Sequence, residues 1–164
     1  MIKKFWVFAL FVVVLSLFLM FQYQKYRVAP KADLASLSCI DTNGNKIDLT
    51  KLKGKKILLT FFATWCGDCL LEMKQLNDIK KAALQDIDII AISDERMNKI
   101  CSFIQKKNYP FTFLKLQTAF ANIHINAIPV TYLINTKGEI IYSKVGAINW
   151  KDPSVVSFTE ETLK

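Results

Sequence analysis

The sequence predicts an α/β domain, a mixed β-sheet flanked by helices, carried behind an apolar N-terminal segment. Three observations lead there. From Ile57 to Ile104, short continuous apolar runs alternate with segments whose apolar residues recur at helical spacing. That alternation is the pattern of parallel strands joined by a right-handed crossover. Asp41-Thr42-Asn43-Gly44 and Asn135-Thr136-Lys137-Gly138 each sit between strand-like runs, a hairpin signal that adds antiparallel strands. The chain has 164 residues and is 52% hydrophobic, enough for one compact domain with a core of its own.

The elements follow in order. Phe5 to Phe21 is apolar apart from Ser16. As a helix it would reach about 25 Å at about 1.5 Å per residue. Extended through Tyr23, it suits a membrane span over residues 5–23. Lys3-Lys4 ahead of that run also fits a signal peptide, but Met20-Phe21-Gln22-Tyr23-Gln24 offers no small-residue cleavage site, which favours an uncleaved anchor. Residues 1–32 are therefore read as a signal-anchor helix and linker, and residues 33–164 as the domain. Leu34–Ile40 and Lys46–Leu49 frame the first hairpin, and Leu52–Lys56 is a basic turn. Ile57–Phe62 reads as a buried central strand, Leu70–Leu84 as an amphipathic helix, and Ile87–Ile92 as the next strand. Met97, Ile100, Cys101 and Ile104 mark a second helix. Phe111–Leu116 is a short strand, and Thr118–Ile123 a short helix. Val130–Ile134 and Glu139–Val145 form the closing hairpin, and Asp152-Pro153 starts a last helix.

Charge narrows the partners. The net charge is +8, and the first 31 residues hold Lys3, Lys4, Lys25, Arg27 and Lys31 with no acid, leaving +3 for the rest. Basic residues flanking an apolar segment suit a membrane surface. A nucleic-acid interface on the domain is not indicated.

Trp65-Cys66-Gly67-Asp68-Cys69 carries the chemistry. Two cysteines two residues apart, between an apolar strand and a helix, can close a disulfide and reopen it. A strand that delivers Cys66 to the first turn of a helix starting at Gly67 places its sulfur at unsatisfied N–H groups and the positive dipole end, which stabilise a thiolate. Cys66 is then the nucleophile. Cys69, one turn later and deeper, attacks the mixed disulfide. Trp65 would shield one side of the site. Asp68 suits a helix start but repels a neighbouring thiolate, which pushes the pair toward the reducing end. Cys39 and Cys101 sit in apolar surroundings and read as small core residues; a second bridge between them stays open. Ile128-Pro129 opens a strand, and a proline there, beside a dithiol, leaves the preceding backbone free to pair with an incoming substrate.

At these two landmarks the chain resembles the thioredoxin superfamily, most of all its membrane-anchored TlpA/ResA/CcmG-like thiol–disulfide oxidoreductases. Phe61–Cys69 is similar to their strand and active-site loop, and Ile128–Asn135 with Gly138 to their cis-proline strand and hairpin. The 60 residues from Cys69 to Pro129 leave room for that branch's central strand–helix insertion. The resemblance covers roughly Leu34 to Trp150.

It implies a thioredoxin-like fold, a redox-active Cys66–Cys69 disulfide with no other cofactor and no metal, and protein disulfides as substrates, apocytochrome c among them. It also implies a membrane-embedded thiol electron donor and a domain on the extracytoplasmic side of a bacterial cytoplasmic membrane. The chain departs from the pattern at three positions: Asp68 and Lys74 stand where prolines are common, and Thr60 stands where thioredoxins bury an acid. Thr60 cannot accept a proton as a carboxylate does, so Glu95 is the candidate acid, with Asp94 as the alternative. Reduction of extracytoplasmic disulfides, with a role in cytochrome c maturation, is the leading function. An oxidase on the same residues is the nearest rival. A copper-delivery module is the non-enzymatic one; it would need a ligand beyond the two thiolates, and His124, between Ile123 and Ile125, reads as packing.

Overall fold

A computed structural model describes residues 6, 10–20, 29 and 32–163. Residues 10–20 are helical with their apolar side chains exposed. Among the described residues no helix is long and apolar enough to cross a membrane; the rest of the segment expected to span, residues 5–23, falls mainly outside them.

Seven strands form one sheet: β1 (Cys39–Ile40), β2 (Lys46–Ile47), β3 (Lys56–Phe61), β4 (Ile87–Ser93), β5 (Thr112–Leu116), β6 (Val130–Ile134) and β7 (Ile140–Val145), in the order β2-β1-β5-β4-β3-β6-β7. β3 pairs in parallel with β4, and β4 with β5, so two crossovers rather than one build the parallel part. β6 lies antiparallel on β3, β7 on β6, and the first hairpin joins the far edge through β1 and β5. Within residues 32–163, three helices complete the order: α1 (Gly67–Lys80), α2 (Met97–Lys107) and α3 (Pro153–Thr162). The expected mixed sheet with helices and a central insertion is what the fold shows.

Alternation along β3 divides the core. Ile57, Leu59 and Phe61 face one side with Ile90, Ile92 and Tyr132, where Ala29, Leu37 and Leu49 also pack. Leu58 and Phe62 face the other side, against Leu76 and Met73 of α1. Side chains this completely buried each contribute about 1.5–3 kcal/mol. Ala29 is buried in the first cluster, so packing begins upstream of Asp33.

Several boundaries differ from expectation. The first hairpin has strands of two residues only, because Leu34–Ser36 is a 3-10 turn. Its turn is fixed by Asp41, whose Oδ1 accepts from the N–H groups of Asn43 and Asn45, both at 2.8 Å. Gly44 there has φ of 85°, a backbone a side chain would strain. Helix α1 stops at Lys80, and Ala83 and Leu84 lie beyond it; Leu84 is still buried, which is why its spacing looked helical. Phe120–Ile123 is a single 3-10 turn. Cys39 is buried, but Cys101 is half-exposed on α2, and both are free thiols. Cys39 packs on the sheet face away from the helices, so no Cys39–Cys101 bridge forms.

Candidate active site

Cys66 is the residue that caps α1. The run Leu58–Ala63 is buried, and Thr64-Trp65 then turns the chain out of the sheet before Gly67 begins the helix. Cys66 and Cys69 are joined, with Cα atoms 5.3 Å apart. The Cys69 N–H donates to Cys66 Sγ at 3.2 Å. Once the bridge opens, that N–H and the helix end favour negative charge on the Cys66 sulfur. Cys69 is 1% exposed and Cys66 8%, so an incoming disulfide meets Cys66 first.

The Ile128–Pro129 bond is cis. Cys66 Sγ lies 3.9 Å from the Ile128 carbonyl oxygen, so the two sequence landmarks, 62 residues apart, meet at the sulfur. Trp65 is 73% exposed. It is not core packing, and it offers an apolar surface beside the dithiol. Gly67 and Asp68 lie exposed on the first turn of α1.

Glu95 arrives from the loop after β4. Its Oε2 accepts from the Thr64 N–H at 2.6 Å and its Oε1 from the Thr64 hydroxyl at 3.0 Å; Lys99 Nζ stands 3.8 Å away. The carboxylate is thus spent on the loop that presents Trp65 and Cys66. Asp94 accepts instead from the Phe120 N–H at 3.0 Å, tying that loop to the 3-10 turn. Both acids are thus held by groups other than Cys69.

A different acid does share its face. Glu72 is three residues past Cys69 on α1, the spacing that makes helix neighbours, and it is 1% exposed. Its Oε1 accepts from the Thr131 hydroxyl at 2.9 Å, and its Oε2 from the Ile148 N–H at 3.1 Å. Thr131 and Thr60 oppose each other across β6 and β3, with their hydroxyls 3.4 Å apart. A hydroxyl has one proton, so while Thr131 donates to Glu72, it can accept only from Thr60. The chain Thr60–Thr131–Glu72 therefore brings a carboxylate to the buried space where Thr60 supplies none. Burial pushes the Glu72 carboxyl up against the opposing pull of the Ile148 and Thr131 hydrogen bonds. Sequence reading missed Glu72 because it looks like a surface residue of a charged helix. The available signal was its position three after Cys69, in register with the buried Cys69, Met73 and Leu76.

Gln75 Oε1 accepts from the Trp150 N–H at 2.9 Å. With Glu72, it binds the 148–150 segment to α1.

The Redoxin family model matches residues 27–159. The chain belongs to that family. Within it, the thioredoxin-like fold and the Cys-x-x-Cys disulfide make the protein a thiol–disulfide oxidoreductase of TlpA/ResA/CcmG type. It is 27% identical over 128 residues to thiol-disulfide oxidoreductase ResA of Bacillus subtilis, a match spanning 76% of this chain and 72% of the relative. It is 31% identical over 134 residues to the thioredoxin-like protein YneN of the same organism, spanning 79% of this chain and 76% of the relative. The fold matches that of StoA from Bacillus subtilis with a TM-score of 0.56 at 22% identity, over 79% of this chain and 98% of that one. Among the described residues no group of three or more His, Cys, Asp or Glu side chains is placed to hold a metal. His124, expected to pack, is exposed at a left-handed position with φ of 61°.

Proposed function

We propose that this oxidoreductase works as a reductase of protein disulfides outside the cytoplasm, held at the membrane by its N-terminal segment. Cys66 thiolate attacks one sulfur of a substrate disulfide. A mixed disulfide forms and the other substrate sulfur leaves as a thiolate. Cys69 gives up its proton and attacks the Cys66 sulfur, which closes the bridge and frees the second substrate thiolate. Two electrons pass from the dithiol to the substrate. A membrane-embedded thiol donor would return them, and an apocytochrome c disulfide is one substrate this scheme fits. Glu72 is the acceptor for the Cys69 proton, and Glu95 is a positioning residue for the loop.

The observation that carries the reducing direction is the placement of acids. Asp68 on the first turn and Glu72 beneath Cys69 both disfavour negative charge on the open dithiol. An oxidant needs its reduced form stabilised; here the arrangement favours the closed bridge instead. Equilibration of the full chain with a redox buffer tests this. We expect a potential near or below about −270 mV, whereas one near about −120 mV would favour the oxidase. Asp68→Asn should move the value upward.

The tether rests on the uncharged apolar segment of residues 5–23 and the basic residues that flank it. Alkaline carbonate extraction of cells expressing the chain should leave it in the membrane pellet. Release into the supernatant would sink the anchor reading.

A further inference from the structure

Near the dithiol, Thr64 and Leu70 together with residues of α2 line an open groove of about 430 Å³. It starts at Thr64, two residues before Cys66, and has Leu70 and Phe103 as its apolar floor. Lys99, Lys106 and Lys107 line it. The other lining side chains, Asn98 and Ser102, are neutral, so no acid faces the groove. Lys99 is 3.8 Å from Glu95, a carboxylate already engaged by Thr64. Lys106 and Lys107 are exposed and form no ion pair among the described residues. Lys106 and Lys107 stand in the last turn of α2, where cations suit the helix end, and with Lys99 they are gathered along the one helix that lines the groove.

We propose that this groove binds an acidic, extended segment of the substrate polypeptide flanking the disulfide that Cys66 attacks. The inference rests on the thiol–disulfide exchange described above and adds a substrate preference to it. The groove follows α2 from Asn98 to Lys107, about 14 Å at about 1.5 Å per residue. An extended chain covers that in about four residues at about 3.3 Å each. The acids are therefore expected within about the first five positions from the reacting cysteine. The apolar floor suits the aliphatic parts of such a segment, and that floor and the groove's start at Thr64 favour a polypeptide over a flat anionic lipid surface.

The test uses the full chain, reduced, in a neutral detergent. Its substrates are two matched peptides, each with one cysteine carried as a mixed disulfide with a chromogenic thiol. One peptide has three Asp or Glu residues beside the cysteine, the other three Lys. Rates are divided by that of the uncharged hydroxyethyl disulfide with the same protein. We expect the acidic peptide to react about tenfold faster at low salt, the scale of electrostatic steering. The difference should vanish near 1 M salt, where screening acts within about 3 Å. The variant K106E/K107E should reverse the order of the two peptides. Equal rates for the two peptides, or a preference unaltered in K106E/K107E, would overturn the proposal. So would lysine-dependent binding to vesicles of anionic phospholipid without a peptide preference. Failure of the wild-type chain to reduce hydroxyethyl disulfide would bring down the exchange reading itself, and the groove with it.

Discussion

Glu72 and Glu95 are both held by the same kind of bond, a carboxylate accepting from a threonine hydroxyl and a backbone N–H. They differ in what stands behind them. Glu95 comes from a loop, keeps Lys99 within 3.8 Å and serves the turn that carries Cys66 outward. Glu72 comes from the inward face of α1, where its Lys74 neighbour points to Asp78 at 2.8 Å instead. A carboxylate with a cation nearby is a stable brace. A carboxylate in the core, pushed up by burial against its hydrogen-bond donors and the lesser pull of the Lys144 charge, is an acid suited to taking up a proton, and that is what the second half of a dithiol reaction requires.

The largest effect should follow removal of the titrating acid. Glu72→Gln keeps the shape and an acceptor for the Ile148 N–H, but it cannot take a proton. Reduction of a protein disulfide should slow about a hundredfold, and the Cys66 mixed disulfide should persist. Unaltered turnover would remove Glu72 from the reaction. Glu95→Ala should instead cost about 1–3 kcal/mol of stability, because it strips a part-buried N–H and hydroxyl of their charged acceptor. Its rate should fall by less than that of Glu72→Gln, with no change in the shape of the pH profile. A shifted profile would make Glu95 more than a brace.

Stability against pH tests the burial of Glu72. Glu72 is raised in the folded chain, so between its ordinary range and its higher folded value, the native state holds more protons than the unfolded one. Stability must then fall as pH rises through that window. Denaturant midpoints should decline in the wild type as pH rises above the ordinary carboxylate range, and decline less in Glu72→Gln. Equal slopes would contradict the burial assigned to Glu72. The smallest effect belongs to a site remote from both acids. Asp152 caps α3 by accepting from the Ser154 N–H at 2.9 Å. Asp152→Ala should cost about 1 kcal/mol and leave the reduction rate unchanged, as thermal melting and a turnover assay on one sample would show.

The same two acids mark what was legible in the sequence. Ile57–Phe62, Ile87–Ile92 and Val130–Ile134 read as strands because they are buried on both faces almost throughout and so apolar apart from Thr60, Asp88 and Thr131. The Cys66–Cys69 spacing and Ile128-Pro129 likewise stand out locally. Glu95 was noticed for its place after a strand, but its partner, Thr64, comes from another loop, and only the folded chain shows that its oxygens are already taken. Glu72 was passed over because a glutamate between Leu71 and Met73 carries no local mark of burial. Its environment is built by Thr131 and Ile148, 59 and 76 residues away. The hairpin at Asp41–Gly44 is legible as a turn, while its strands are only two residues long, since β1 pairs with β2 and β5 over Cys39 and Ile40 alone.

Cys66 as the attacking thiol can be tested by trapping. Reduced full-length Cys69→Ser, mixed with a disulfide-bonded protein such as insulin and then alkylated, should accumulate a covalent adduct. Peptide mass spectrometry should place that adduct on Cys66. An adduct on Cys39 or Cys101, or no adduct under conditions where the wild-type chain reduces insulin, would contradict the assignment.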